Sequence, residues 1–197
     1  MARATPIRST DSPQDAVALL KSDHRQVEDL FSKFEAADDD ELGTIAQRVC
    51  QLLTVHAQIE EELLYPAAKE AFEDDEENTE LVLEAAIEHS TAKDLIAKIE
   101  AMTPDEEDYK ATVKVLSEYI KHHVKEEEKE LFPQLRQTEV DLKELGARLA
   151  ERKMEMMEEM GIEEEAPARS RAGSKPRPTR GASRRTAARP SSRSARH

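Results

Sequence analysis

The chain has 197 residues, of which 37% are charged and none is Trp, so its core must be built mainly from aliphatic side chains. No run approaches the ~18 apolar residues of a membrane span, and the first residues lack the apolar stretch of a secretory signal. We therefore expect a soluble, cytoplasmic protein without a membrane partner. The single cysteine, Cys50, excludes an internal disulfide.

The net charge of −14 is divided unevenly along the chain. Residues 1–165 hold all 43 acidic residues and 19 Lys and Arg, a net charge of −24, whereas residues 166–197 hold ten Lys and Arg and no acid. The low-complexity residues 162–197 are predicted to be a disordered basic tail. Two uses of that tail remain open: non-specific nucleic-acid binding through residues 166–197, or loose screening of the acidic part.

Five helices and no strand are predicted, with approximate ranges of 13–35, 41–65, 79–101, 103–132 and 139–160. Ser12, ahead of a proline, is typical of a helix N-terminus. Thr103 with Glu106 has the spacing of a capping box, which places the start of the fourth helix there. Pro66 predicts an end or a kink of the second helix, and Pro133 predicts the end of the fourth, because proline interrupts the helical hydrogen-bond ladder.

Each of the first four predicted helices carries one apolar stripe with a spacing of three to four residues. Short connections between such helices predict an all-α fold, an antiparallel up-down-up-down four-helix bundle. The expected organisation is a flexible N-terminus (1–12), the bundle (13–137), an additional C-terminal helix packing on it (138–161) and the disordered tail (162–197).

Only histidine and glutamate interrupt the apolar stripes. The interrupting residues are His24, His56, Glu60, His89, His123 and Glu127. A carboxylate inside a bundle must be paired, protonated or bound to a metal, and no Lys or Arg lies on these stripes. A His and a Glu four residues apart share one helical face. Nitrogen and oxygen ligands without a thiolate favour iron, manganese or zinc, and this set suits a two-metal centre.

These positions, with the words "HAQIEEELLYP" (56–66) and "HHVKEEEKELFP" (122–133), resemble the hemerythrin-like (HHE cation-binding) domain family over roughly residues 13–160. The resemblance implies two non-haem iron ions, oxo- or hydroxo-bridged, held by the six residues, with Mn or Zn as less favoured metals. It also implies O2, NO or peroxide as the small ligand, in sensing, storage or stress protection. Glu61 and Glu128 are candidates to support the ligands from outside.

One departure from the oxygen carriers of that family concerns the third helix. The carriers have a second histidine one turn from the first, whereas the positions flanking His89 here are Ala85 and Lys93. The departure leaves an enzymatic alternative open, with catalase-like or ferroxidase activity, beside a nucleic-acid-associated protein tethered by its tail. Tyr119, one turn before His123, is interpreted as a packed core residue in preference to a metal ligand.

Overall fold

The computed structural model describes residues 15–162, in which all regular secondary structure is helical and no strand occurs. This confirms the predicted all-α class for that part of the chain. The helices are α1 (Ala16–Ala36), α2 (Leu42–Ile59), α3 (Tyr65–Ala71), α4 (Glu76–Glu100), α5 (Tyr109–Glu126), α6 (Phe132–Leu135) and α7 (Leu142–Glu159). In the described range, no helix combines the length and apolar character needed to cross a bilayer. The predicted cap Ser12 and the predicted tail beyond residue 162 lie outside the described residues.

The two prolines do not end their helices. The end predicted at Pro133 was wrong, and of the two outcomes predicted at Pro66 the end does not occur. Two π-helical turns, Glu60–Leu64 and Glu127–Leu131, join α2 to α3 and α5 to α6, and the chain stays helical past both prolines. Each proline then lies in the first turn of the following α-helical segment, where its missing N–H costs little. Single π-helical turns within α-helices are frequent at functional sites.

The fourth predicted helix starts later than its sequence signal indicated. The Glu106 carboxylate accepts a hydrogen bond from the Thr103 backbone N–H at 2.7 Å, as in a capping box. That bond closes a turn, however, and α5 begins only at Tyr109. The predicted helix start at Thr103 was therefore wrong by about one and a half helical turns.

Aspartates cap three of the helices. Asp15 accepts from the Ala18 N–H and caps α1, while Asp75 caps α4 and starts it three residues before the predicted position. Asp141 caps α7. An aspartate at this position satisfies otherwise unpaired backbone donors and complements the helix dipole.

Packing between helices places α1 against α2, and α4 against α5. Further contacts join α2 to α4 and α1 to α5, so the four long helices enclose one core. Helix α7 packs against α1, α2 and the first π-helical turn. The core contains mainly aliphatic side chains, as the composition requires, and Phe132 is its largest fully buried side chain.

Candidate metal centre

The six stripe-interrupting residues come together in the middle of the helical core. They form two overlapping groups: His24, His56, Glu60 and Glu127 in one, and Glu60, His89, His123 and Glu127 in the other. Within each group, one nitrogen or carboxylate oxygen per residue lies within 4.8 Å of the others, and all six residues are buried. Because both glutamates belong to both groups, each is positioned to bridge two ions. Their role as metal ligands stays a prediction.

The four imidazoles direct their Nε2 atoms inward. The Nε2 atoms of His24 and His56 are 3.1 Å apart, and those of His89 and His123 are 3.0 Å apart. The Oε2 atom of Glu60 lies 3.1 Å from the Nε2 atom of His56. The Oε2 atom of Glu127 lies 3.3 Å from the Nε2 atom of His24. Inward-facing ring nitrogens and carboxylate oxygens thus surround a common centre.

The Nδ1 atom of each imidazole faces a carboxylate from a different helical segment. The four pairs are His24 with Glu128 (3.0 Å), His89 with Glu61 (3.2 Å), His123 with Glu88 (2.8 Å) and His56 with Asp23 (3.7 Å). In the first three pairs the carboxylate accepts the Nδ1 proton, which leaves the Nε2 lone pair free to point inward. Asp23 lies beyond hydrogen-bond distance, and among the described residues the Nδ1 atom of His56 has no hydrogen-bond partner. The outer acids therefore fix the orientation that a metal-binding imidazole requires.

Two of these outer acids, Asp23 and Glu88, were not identified from the sequence. Each immediately precedes a stripe histidine, and each faces the histidine of the adjoining helix instead of its own neighbour. An acid next to a stripe residue, at the border with the adjoining helix, is the signal that would have identified them. Glu61 and Glu128 lie where the sequence suggested, behind His89 and His24.

Several buried oxygen atoms of the centre have no hydrogen-bond donor. Within residues 15–162, neither carboxylate oxygen of Glu60 is hydrogen-bonded, and the Oε2 atom of Glu127 is not hydrogen-bonded either. Desolvated carboxylate oxygens without donors are costly. When the outer acids hold the Nδ1 protons, the inward nitrogens are acceptors as well. Acceptors that face one another need a cation between them, so these residues fit a pair of metal ions.

Without a metal, protons on the imidazoles are the only charge that can offset the two buried carboxylates from within the ring. Burial by itself lowers the pKa of His56, but the Glu60 and Asp23 carboxylates outweigh it and hold that pKa well above its usual range. Burial likewise raises the pKa of Glu60, and the charges of His56 and His89 reverse this and hold it well below its usual value. The apo centre therefore holds protons in the place of cations.

Tyr65 places a hydroxyl group inside the ring of candidate ligands. Its phenol donates to the Oε1 atom of Glu127 at 3.0 Å and lies 3.1 Å from the Nε2 atom of His89. Burial, followed by the Glu127 and Glu60 charges, raises the pKa of Tyr65 well above its usual value. Tyr119, the tyrosine considered from the sequence, instead lies partly buried against the hydrophobic core.

Comparison of two similar segments, residues 56–66 and 123–133, could have identified Tyr65 from the sequence. The word "HAQIEEELLYP" has tyrosine where "HVKEEEKELFP" has Phe132, in each case five residues after the inward glutamate. Phe132 stacks on His24 with ring centroids 5.9 Å apart, and Tyr65 lies over His89 at 5.3 Å. Each aromatic ring covers one imidazole, and only Tyr65 brings a polar group with it.

A cavity of about 20 Å³ adjoins the ring of histidines. All four histidines line it, together with apolar side chains that include Val27, Leu53, Ile96 and Ile120. Its volume corresponds to one water-sized molecule. Lys93, at one of the two positions considered for a further ligand on the third helix, also lines the cavity, and its ammonium group binds Glu61 at 2.6 Å.

The model of the hemerythrin HHE cation binding domain matches residues 15–135. The chain belongs to this family. A crystal structure of a hemerythrin HHE cation binding domain-containing protein from Mycobacterium kansasii has the same fold, with a TM-score of 0.64 and 24% sequence identity. That similarity covers 74% of this chain and 89% of the other. The family and the buried His/Glu clusters together indicate a metal-binding protein.

A curated relative has a different description. A DNA nickase of Nostoc sp. is 29% identical over 119 residues, which cover 60% of this chain and 32% of that protein. The chain thus spans about a third of the length of that relative.

Proposed function

We propose that the protein is a hemerythrin-like, non-haem di-iron protein that binds O2, NO or peroxide, in sensing, storage or protection against oxidative or nitrosative stress. The observation that carries the proposal is the ring of inward acceptors without donors around Glu60 and Glu127. The proposed ligands are His24, His56, Glu60, His89, His123 and Glu127. The proposed organisation is an antiparallel up-down-up-down bundle over residues 13–137 with α7 as an added helix. The proposed location is the cytoplasm.

Iron is the metal that the chemistry of the donors and the family favour together. Four imidazoles and two carboxylates suit iron, manganese or zinc, and the family relationship supports a di-iron centre over Mn or Zn. Two iron ions bound there would supply one-electron redox chemistry toward a small ligand. The chain itself would orient the imidazoles through the four outer acids and exclude bulk water through the apolar wall of the cavity.

The size and lining of the cavity support a small ligand. A volume of about 20 Å³ admits one water-sized or diatomic molecule, and most of the wall apart from the histidines is apolar. Such a wall favours O2 and NO over larger or charged molecules. The Tyr65 hydroxyl group lies among the candidate ligands and donates a hydrogen bond to Glu127. This bond would fix the position of that carboxylate.

A metal count tests the di-iron proposal. After aerobic loading with ferrous iron we expect two iron ions per chain and a visible charge-transfer band that shifts with azide. Glu60→Gln and Glu127→Gln are expected to lose iron, because each removes a bridging carboxylate. Glu118→Gln is the matched control, since Glu118 is exposed on α5 and outside the centre. A wild-type protein without stoichiometric metal would contradict the proposal.

An enzymatic function, catalase-like or ferroxidase, is a second candidate. Tyr65 supports it, because a phenol beside the centre can donate a proton to a small ligand. We would measure O2 release from peroxide and ferrous oxidation for the wild type, Tyr65→Phe and Glu127→Ala. Rates at background in all three proteins would reject the enzyme and leave the binding function standing.

Nucleic-acid association through residues 166–197 is a third candidate. Ten cationic side chains without an acid can neutralise phosphates, with strong salt dependence. Deleting the chain from Ala166 onward should then abolish duplex binding at low salt. Equal binding by both forms would reject it, and substitutions at the centre should leave duplex binding intact.

A further inference from the structure

The outer acids of the four imidazoles differ in what lies behind them. Three of them bind a lysine ammonium group: Glu128 with Lys21 (3.2 Å), Asp23 with Lys153 (2.6 Å) and Glu61 with Lys93 (2.6 Å). The fourth acid, Glu88, has no lysine or arginine beside it within residues 15–162. Apart from His123, the side chain that faces it there is His122, whose Nε2 atom lies 3.9 Å from the Oε1 atom of Glu88.

Glu88 is mostly buried and uses only one of its oxygens. The residue is 9% exposed, and its Oε2 atom accepts from the Nδ1 atom of His123 at 2.8 Å. No hydrogen bond reaches the Oε1 atom from any described residue, and this atom points toward His122. This oxygen atom is therefore open to water or to a cation from solution.

The residues around that oxygen atom are of metal-ligand types. His122 and Glu126 lie four residues apart on α5, with Nε2 and Oε1 3.1 Å apart, so both face Glu88 of α4. One donor atom from each of the three residues lies within 4.8 Å of the other two. The His122 side chain is 56% exposed, which leaves the group open to solvent and to ions in it.

Among the described residues, helices α1 and α2, in the first half of the molecule, carry no group equivalent to Glu88, His122 and Glu126. When His56 is aligned with His123, the positions that correspond to His122 and Glu126 are Val55 and Ile59, which are both buried. The acid that matches Glu88 is Asp23, and its charge is met by Lys153 of α7, which packs against that half. In the second half a cation from solution can take the place that Lys153 holds in the first.

We propose that Glu88, His122 and Glu126 form a second, peripheral site for a divalent transition-metal ion, separate from the buried centre. One imidazole nitrogen and two carboxylate oxygens suit Zn²⁺ or Fe²⁺ better than Ca²⁺ or Mg²⁺, which prefer oxygen alone. Water completes the coordination, as the exposure of His122 allows. The other oxygen of Glu88 accepts the Nδ1 proton of His123. The Glu88 carboxylate therefore connects an ion at this site to a histidine of the buried centre.

Zinc binding by the iron-loaded, full-length protein tests this proposal. Equilibrium dialysis against buffered free Zn²⁺, with iron counted in the same samples, should give one saturable zinc ion per chain beyond the metal of the buried centre. His122→Ala and Glu126→Gln should lose this zinc ion and keep their iron. Glu118→Gln makes the same charge change on α5 outside the group, and it should bind zinc as the wild type does.

The result that would overturn the peripheral site is equal zinc uptake by the wild type and both variants, with circular dichroism showing intact helices. This outcome is distinct from failure of the di-iron proposal. If the chain held no iron, zinc would also enter the buried centre. The one-ion difference between the wild type and His122→Ala would still decide whether the peripheral site exists.

Discussion

The half built from α1 and α2 and the half built from α4 and α5 contribute equivalent groups to the centre. The equivalent pairs are His24 and His89, His56 and His123, Glu60 and Glu127, Asp23 and Glu88, and Glu61 and Glu128. In each half the acid before the first histidine supports the second histidine, and the acid after the inward glutamate supports a histidine of the other half.

The two halves differ in groups that are not needed to surround two ions. Tyr65 brings a hydroxyl group to the ring where Phe132 brings none, and Lys153 meets Asp23 where His122 faces Glu88. The shared groups define a general two-ion cage. We infer that the unshared groups determine which ligand the cage takes and which ions approach it from outside.

Removing the metal should have the largest effect, because only protons on the imidazoles then offset the two central carboxylates, one from each half. We expect chelation to destabilise the fold by on the order of 3 kcal/mol, a loss comparable to that of one partner of a buried ion pair. For a chain of this length that lowers the Tm by roughly 10 °C. Thermal unfolding followed by circular dichroism, with and without chelator, measures it, and unchanged melting would contradict the expectation.

Acid should weaken metal binding in both halves at once. Glu127, then the hydrogen bond to Glu88, overcomes the effect of burial and raises the pKa of His123; the pKa of His56 is raised too. A metal ion must displace both protons. Below the raised pKa values the affinity should fall about tenfold per pH unit for each proton displaced. Metal titrations at several pH values, with proton release measured by indicator, check this; pH-independent affinity would count against it.

The metal-free protein should respond to pH in two opposite directions. A raised histidine pKa adds stability that is fully present below the unfolded value near 6.5 and is lost as the pH rises through the folded pKa. The lowered pKa of Glu60 adds stability at pH values above the pKa that this group has in the unfolded chain. This stability is lost as the pH falls through the folded pKa. Denaturant unfolding of apo protein across pH should therefore show a maximum between these limits.

Substituting the outer acids one at a time sharpens the comparison between the halves. Glu88 is hydrogen-bonded to its histidine at 2.8 Å, whereas Asp23 stands 3.7 Å from His56. Loss of an acid that supports a metal ligand typically lowers metal affinity by about 10- to 100-fold, and we expect losses of about this size here. Glu88→Gln should fall near the upper end and Asp23→Asn near the lower. Competition with a chromophoric chelator gives both values, and a reversed order would contradict the geometry.

Exchanging the aromatic residues tests the smallest difference. Tyr65→Phe gives both halves the same aromatic residue and removes a hydrogen bond to a buried carboxylate, which lowers the free energy of unfolding by about 1.5–3 kcal/mol. The azide-dependent visible spectrum of the iron-loaded variant should change as well, because Glu127 loses its donor. Phe132→Leu is the control for lost packing without lost polarity. A Tyr65→Phe spectrum identical to wild type would assign the hydroxyl a structural role only.

The periodicity of the sequence was sufficient to find the inner ring. His24, His56, His89 and His123 interrupt apolar stripes, and a stripe position is buried wherever the helix packs. Asp23 and Glu88 were missed because contacts between helices, which depend on the rotation of each helix, decide their partners. Single-helix spacing does not carry that information.

The local chain geometry was harder to predict than the ring. Pro66 and Pro133 predict an interrupted helix because proline disrupts a regular α-helix. The widened turns ahead of them have no sequence signal of comparable strength. Thr103 and Glu106 form the expected bond without starting a helix, since a capping bond also stabilises an isolated turn.

The π-helical turns also fix the rotational register of everything that follows them. Each contains one more residue per turn than the α-helix around it, beginning at Glu60 or Glu127 and ending just before Tyr65 or Phe132. Deleting one residue, such as Leu63, would restore the α-helical count and rotate the next segment by about 100°. Tyr65 would then leave His89. The spacing between the inward glutamate and the aromatic residue is therefore a length constraint on this domain, independent of which side chains fill the turn.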